Sequence, residues 1–178
     1  QKFFGRTFMR SILLLPYVGP VVALAYTWEL LLDPYSGTLN NLLLNFQVIQ
    51  EPLNLLGQKY LTINFFGFDL KLRLALTTVI IFEIWRYFPL AFLFILARLQ
   101  AVPKELYEAA DVDGAGPIQK FISITLPQIM AIISILFMIR FIWNFNKFED
   151  IFLLTGGASG TRTLPINVYA VSYTHLTL

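Results

Sequence analysis

The 178-residue chain has no cysteine, so it has no disulfide framework, no thiolate metal site and no cysteine nucleophile. It has a single histidine, His175, and a lone histidine makes neither a metal site nor a catalytic triad. Charge is scarce as well: 13% of the residues are Asp, Glu, Lys or Arg, against about 25% in an ordinary soluble domain. The net charge of +2 and the lack of any block of like charges argue against a nucleic-acid partner. Asp111-Val-Asp113-Gly114 fails as a calcium loop, because the glycine comes too early and Ile122 stands where the closing Glu belongs. Gly114-Ala-Gly116 lacks the third glycine of a dinucleotide site, and no Walker lysine motif occurs. What is present is apolar: 57% hydrophobic and 16% aromatic residues, a composition that belongs in a lipid bilayer.

A spanning helix needs about 20 mostly apolar residues, and three segments approach that: residues 12–32, 74–97 and 129–145. The first contains Pro16, Gly19 and Pro20 and is expected to be one kinked helix, as membrane neighbours permit. Pro89 should kink the second. The third has an ambiguous outer end, since the apolar run 151–154 follows the polar patch 144–150. The connection 33–72 carries turn signals at Asp33-Pro34, Gly37, Glu51-Pro52 and Gly57. Within it, 39–50 and 53–61 are expected to form short surface helices, leucines toward the apolar side and Asn and Gln toward water. These features predict an all-α, polytopic membrane helix bundle read as one domain.

Lysine and arginine decide the orientation poorly. Lys2, Arg6, Arg10, Arg98, Lys104 and Lys120 fall on one side, and Lys59, Lys71, Arg73, Lys147 and Arg162 on the other. The loop 98–127 is more informative. Pro103 starts a helix where its absent donor does no harm, Gly114 stops it, and a second helix starts at Pro117 with apolar residues at Ile118, Phe121, Ile122 and Thr125. Pro127 should mark the start of the third span. In the first helix Ala109 and Ala110 keep one face slim, while Glu105 and Glu108 can meet basic groups. Such a helix, glycine turn, helix unit suits docking into a groove, although any amphipathic loop between spans accounts for these residues as well.

The spacing adds more. Glu108-Ala109-Ala110, three residues, Gly114, nine residues, then Ile124-Thr-Leu126-Pro127 resembles the signature of the permease subunits of binding-protein-dependent ABC importers. The resemblance extends to Arg6-Thr-Phe-Met-Arg-Ser-Ile-Leu-Leu-Leu-Pro16 with Pro20, to Asp33-Pro34 with Gly37, and to Trp85-Arg86-Tyr-Phe-Pro89. The run Asn146-Lys-Phe-Glu-Asp-Ile-Phe-Leu-Leu-Thr-Gly156-Gly157, then Thr163-Leu164-Pro165, is similar to the maltose and glycerol-phosphate type subfamily. In all, the likeness covers most of residues 3–172.

The resemblance implies a subunit of an ATP-driven importer of a sugar or related solute in a bacterial or archaeal inner membrane. The cytoplasmic loop 98–127 would couple to a separate ATPase subunit through Glu105, Glu108, Ala109, Ala110, Gly114, Ile124, Leu126 and Pro127. Segments 33–72 and 156–165 would lie outside. The implied partners are that ATPase, a second permease subunit, a solute-binding protein and membrane lipid. No cofactor is expected on the chain, ATP being bound by the partner, and the chain is not expected to be an enzyme. Relatives of this kind have about six spans, so a chain with three, beginning at Gln1, is expected to be a fragment: residues 1–172 a partial permease domain and 173–178 a truncated or non-native tail.

Charges inside the spans raise two readings. Glu83 and Arg86, at i and i+3, and Arg140 can line a solute path together with Trp85, Trp143 and Asn144, where carbohydrate hydroxyls need donors and acceptors. Alternatively Glu83 and Arg86 are a structural pair, and Arg140 snorkels or pairs with a helix outside this sequence. A gradient-driven carrier using Glu83, Arg86 and Arg140 as a relay is the competing class of function.

Overall fold

The computed structural model describes residues 6–65 and 68–176, so Lys2 and the last two residues of the segment 173–178 lie outside the described residues. Its elements run in order α1 (Arg6–Val18), α2 (Val21–Leu32), α3 (Thr38–Asn45), β1 (Leu61–Phe65), β2 (Phe68–Leu72), α4 (Leu74–Gln100) and α5 (Lys104–Val112). There follow α6 (Pro117–Lys120), a π-turn (Phe121–Thr125), α7 (Leu126–Phe145), α8 (Glu149–Thr155) and α9 (Leu164–Leu176). Among the described residues the regular elements are helical apart from one antiparallel ribbon. Its contacts divide into two compact units, one of residues 1–17 and 87–144, the other of 18–86 and 145–178.

In the second unit, α2 begins after a break rather than a kink. A residue before proline is disfavoured in the helical region, so Gly19 leaves the helix ahead of Pro20, whose ψ of 130° is extended. The expected single span 12–32 is therefore two helices of 13 and 12 residues, each too short to cross a membrane alone. Among the described residues two helical stretches are long and apolar enough, Leu74–Gln100 and Pro117–Phe145, or three if the broken pair counts as one. α4 continues through Pro89 to Gln100, three residues past the expected end.

The connection 33–72 differs most from expectation. Asp33, preceding Pro34, ends α2, and its carboxylate accepts hydrogen bonds from the Tyr35 N–H (3.0 Å), the Ser36 N–H (2.7 Å) and the Ser36 hydroxyl (2.8 Å). The Ser36 N–H, the Ser36 hydroxyl and then the Tyr35 N–H hold this carboxyl below the usual range, since each favours its charged form. Gly37 is required by close approach, because a Cβ there would stand 2.3 Å from the Asp33 carbonyl oxygen. Of the expected surface helix 39–50 only the α3 portion forms, and 53–61 is not helical. Nor does Asn40 face water: it is fully buried and closes the loop on itself. Its amide donates to the carbonyls of Asp33 (3.2 Å) and Leu53 (3.0 Å) and accepts from the Leu53 N–H (3.0 Å). The ribbon then pairs Leu61 with Leu72 through Phe65 with Phe68. Below it the Leu74 and Ala75 N–H groups donate to the carbonyls of Lys59 and Gln58, which seats the start of α4.

The core of this unit is Ala25, Val79, Phe82, Ile151, Leu154 and Ile166, with Trp28 and Phe148 packed at its edge. α8 contributes two of these residues, which is why 151–154 does not extend the third span: it forms a separate helix after the break at 146–148. Helix α9 runs through residues 173–176, which sequence reasoning sets apart as a tail.

In the other unit, the α6–α7 stretch is helical throughout, and Pro127 lies inside it rather than at its start. The π-turn accommodates the proline. Proline removes a donor and its ring crowds the carbonyl four residues back, and here the preceding Leu126 N–H reaches back five residues to the Phe121 carbonyl, widening the turn. At the far end of α7 the Arg140 guanidinium lies 3.7 Å from the centre of the Tyr87 ring, which Tyr17 meets edge-on at 6.2 Å.

Candidate functional site

Two constellations concentrate polar chemistry, one in each unit. The first is the loop 98–127. Helix α5 has no buried residue, and Glu105 occupies its first turn, where the helix dipole favours a carboxylate. Glu105, Glu108 and Ala109 are exposed, with Ala110, Ile124 and Leu126 half-buried and Pro127 exposed. The helix ends at a left-handed Gly114, φ +73°, and a Cβ there would meet nothing within 4 Å. Backbone conformation rather than crowding therefore selects glycine.

Two exposed apolar side chains flank this turn, Val112 at 89% and Ile118 at 76% exposure. Beside them Gly116, Pro117, Ile118, Gln119, Ile122 and Ser123 line a shallow groove of about 500 Å³. Sequence reasoning passes over Val112 as a docking residue. Its signal is an aliphatic residue between two aspartates on an otherwise polar helix end.

Polar ties hold the loop in shape. The Tyr107 hydroxyl is 2.9 Å from the Thr125 hydroxyl, and Lys120 pairs with Asp111. Arg98, in the last turn of α4, donates through Nε to the Gln128 carbonyl at 2.9 Å and through Nη2 to the Gln128 side-chain oxygen.

The second constellation is a four-charge cluster. Arg86 pairs with Asp150, and Lys147 pairs with both Asp150 and Glu83, the last at 2.9 Å. All four side chains are at most 17% exposed. Two cations face two anions, so the cluster buries no net charge, and each charge removed from water has an opposite partner. Burial works against the Asp150 charge, but the hydrogen bond it accepts from Lys147 and the charges of Lys147 and Arg86 hold its carboxyl below the usual range. The structural reading of Glu83 and Arg86 is thus enlarged: their partners include Lys147 and Asp150, 64 residues away, which sequence reasoning does not assign.

The remaining path residues have their own surroundings. Trp85 belongs to an aromatic cluster with Trp28 (5.5 Å) and Phe82 (6.2 Å). Arg140, besides stacking on Tyr87, donates to Asn144 at 3.4 Å, so it has partners within this chain. Glu83, Trp85 and Arg86 belong to one unit, and Arg140, Asn144 and the exposed Trp143 to the other. Among the described residues no three His, Asp or Glu side chains converge as metal ligands.

Residues 1–174 match the family model described as binding-protein-dependent transport system inner membrane component. The chain belongs to that family. Its relatives include the trehalose/maltose transport system permease protein of Thermococcus litoralis, 34% identical over 176 residues, covering 99% of this chain and 55% of the relative. An inner membrane ABC transporter permease protein of Escherichia coli is 38% identical over 158 residues, 86% of this chain and 50% of the relative. The sn-glycerol-3-phosphate transport system permease protein of Yersinia pestis is 32% identical over 178 residues, 98% of this chain and 55% of the relative. The chain thus spans about half the length of these relatives. A solved bacterial ABC transporter involved in alginate import shares the fold, with a TM-score of 0.67 at 21% identity over 98% of this chain and 58% of that one. As a member of this family, the chain is an inner-membrane protein, and its two long apolar helical stretches have the length and composition of membrane spans.

Proposed function

We propose that this chain forms part of the transmembrane subunit of an ATP-driven importer for a sugar or related solute, with the loop 98–127 docking on a separate ATPase subunit. The carrying observation is the geometry of that loop: an exposed helix ending at a left-handed Gly114, with Val112 and Ile118 projecting on either side. Rigid apolar knobs on a narrow turn fit a groove in a partner, and Glu105 and Glu108 suit a basic rim. The loop lies on the cytoplasmic side, with 33–72 and 156–165 outside, and ATP is held by the partner. The other partners are a second permease subunit and a solute-binding protein. One of the solved relatives is an alginate transporter described in complex with a pentasaccharide-bound periplasmic protein. A gradient-driven relay is disfavoured by the family and by the ion pairing of Glu83 and Arg86 within the charge cluster.

The test is purification of the full-length parent protein from its own host, scored for a co-purifying ATPase subunit. Association that is lost when Glu108 and Gly114 are substituted supports docking through this loop. An unsubstituted protein that purifies without any ATPase sinks the proposal and returns the gradient-driven carrier.

A further inference from the structure

How a displacement of α5 reaches the membrane helices is answered by side chains outside the docking set. Helix α5 has no fully buried residue, and only Tyr107 and Ala110 on it are half-buried, so its side-chain ties carry much of its attachment. Its side-chain ties to the following helix are Tyr107 to Thr125 and Asp111 to Lys120. Asp111 is 67% exposed, and an exposed ion pair of this kind contributes little. The hydroxyl pair is part-buried and joins α5 to the last residue of the π-turn, directly ahead of α7. One turn further, Arg98 grips Gln128 at two points, on its carbonyl and its side-chain oxygen, which joins α7 to the end of α4. A guanidinium can hold both acceptors in one plane, whereas a lysine ammonium cannot reproduce that fork.

We infer that Tyr107, Thr125, Arg98 and Gln128 are positioning residues that carry movement of the docked loop into α7 and α4. This rests on the docking of an ATPase proposed above. The four residues act after docking, so removing a tie leaves the partner bound and interrupts what the partner's movement does to the spans.

These 178 residues hold no cysteine, so once thiols elsewhere in the full-length complex are replaced a single one can report on α4. Ile84 lies on that helix and takes no part in either constellation. The experiment attaches a spin label at Ile84→Cys in the detergent-solubilised full-length complex with its ATPase and reads the label's mobility with and without ATP plus vanadate. In the parent the mobility changes with nucleotide. In Tyr107→Phe and in Arg98→Lys the ATPase stays associated and the thermal midpoint holds, but the nucleotide-dependent change is lost. Thr125→Val reproduces Tyr107→Phe, the double variant is no worse than either single one, and Thr125→Ser restores the response. If the variants respond as the parent does, or the parent itself shows no change, this inference is overturned while docking stands. The inference also fails if ATPase association falls in step with the response, because the residues then serve the docking surface itself. A parent without any ATPase sinks the docking proposal first.

Discussion

Asn40 uses its entire amide to close a loop, and nothing near it in sequence announces the fact. Its partner Leu53 is 13 residues away, and the intervening segment reads as turns and leucines. Replacing Asn40 by Ala leaves the Leu53 N–H and the two carbonyls without these bonds in a buried place. At about 1–3 kcal/mol for a buried group left unsatisfied, a loss of about 2 kcal/mol or more is expected from thermal unfolding of the purified protein. Asn40→Asp should be worse than Asn40→Ala, because a carboxylate would face two carbonyl oxygens; equal or higher stability of the Asp variant contradicts the hydrogen-bond assignment. Asp150 poses the same problem at greater range, since Arg86 lies 64 residues earlier. A polar patch at 144–150 is visible in the sequence, but its role depends on long-range packing of Lys147 and Asp150 against Glu83 and Arg86. Asp150→Asn removes one of the two anions that face Arg86 and Lys147, and breaking a buried pair costs about 3–5 kcal/mol. The pH dependence follows from the sign of the shift: the folded carboxyl titrates below the unfolded value of about 3.9, so its stabilisation is complete above that and lost as pH falls through the folded pKa. Substitution should therefore flatten the acid side of the stability curve, and an unaltered acid limb would remove Asp150 from the account.

At the scale of elements, legibility follows how local the cause is. The glycine stop at 114 and the proline start at 117 are readable because φ preference and an absent donor act within one residue. The break at Gly19-Pro20 and the π-turn before Pro127 read from sequence as a kink and a boundary. Proline signals that regular bonding fails, but whether the chain breaks or widens depends on the surrounding packing. The ribbon at 61–72 escapes notice because its alternation is short and set among leucines that suit a surface helix equally well. The glycine stop yields a sharp test, since Gly114 has open space and only its positive φ restricts the residue type. Holding an ordinary side chain there costs about 1–2 kcal/mol, while Asn tolerates the left-handed region. Gly114→Asn should therefore keep most of the ATPase association of the parent, and Gly114→Val, β-branched and strained, should lose it. Equal loss in both variants would show that the side chain itself, rather than the turn, is what the partner rejects.

For the whole molecule, membership in a membrane family and a 27-residue apolar helix fix one geometric consequence. At 1.5 Å per residue α4 is about 40 Å long, more than the hydrocarbon thickness of about 30 Å. A helix of this length that crosses the bilayer is expected to leave the segments joined to its two ends on opposite faces. Tyr35, in the segment that leads to its start, and Val112, on the loop that follows its end, are 87% and 89% exposed. Lysine and arginine do not say which face is which, and the family likeness supplies that only by analogy. The absence of cysteine makes a direct measurement simple, because a thiol introduced into these 178 residues is the only one among them. Any thiols elsewhere in the full-length parent would be replaced first. A membrane-impermeant maleimide should label Tyr35→Cys in right-side-out vesicles and Val112→Cys only in inverted ones. Labelling of both from one face would mean that α4 does not cross the bilayer, and labelling of Val112→Cys in right-side-out vesicles would remove the loop 98–127 from the side on which ATP is hydrolysed.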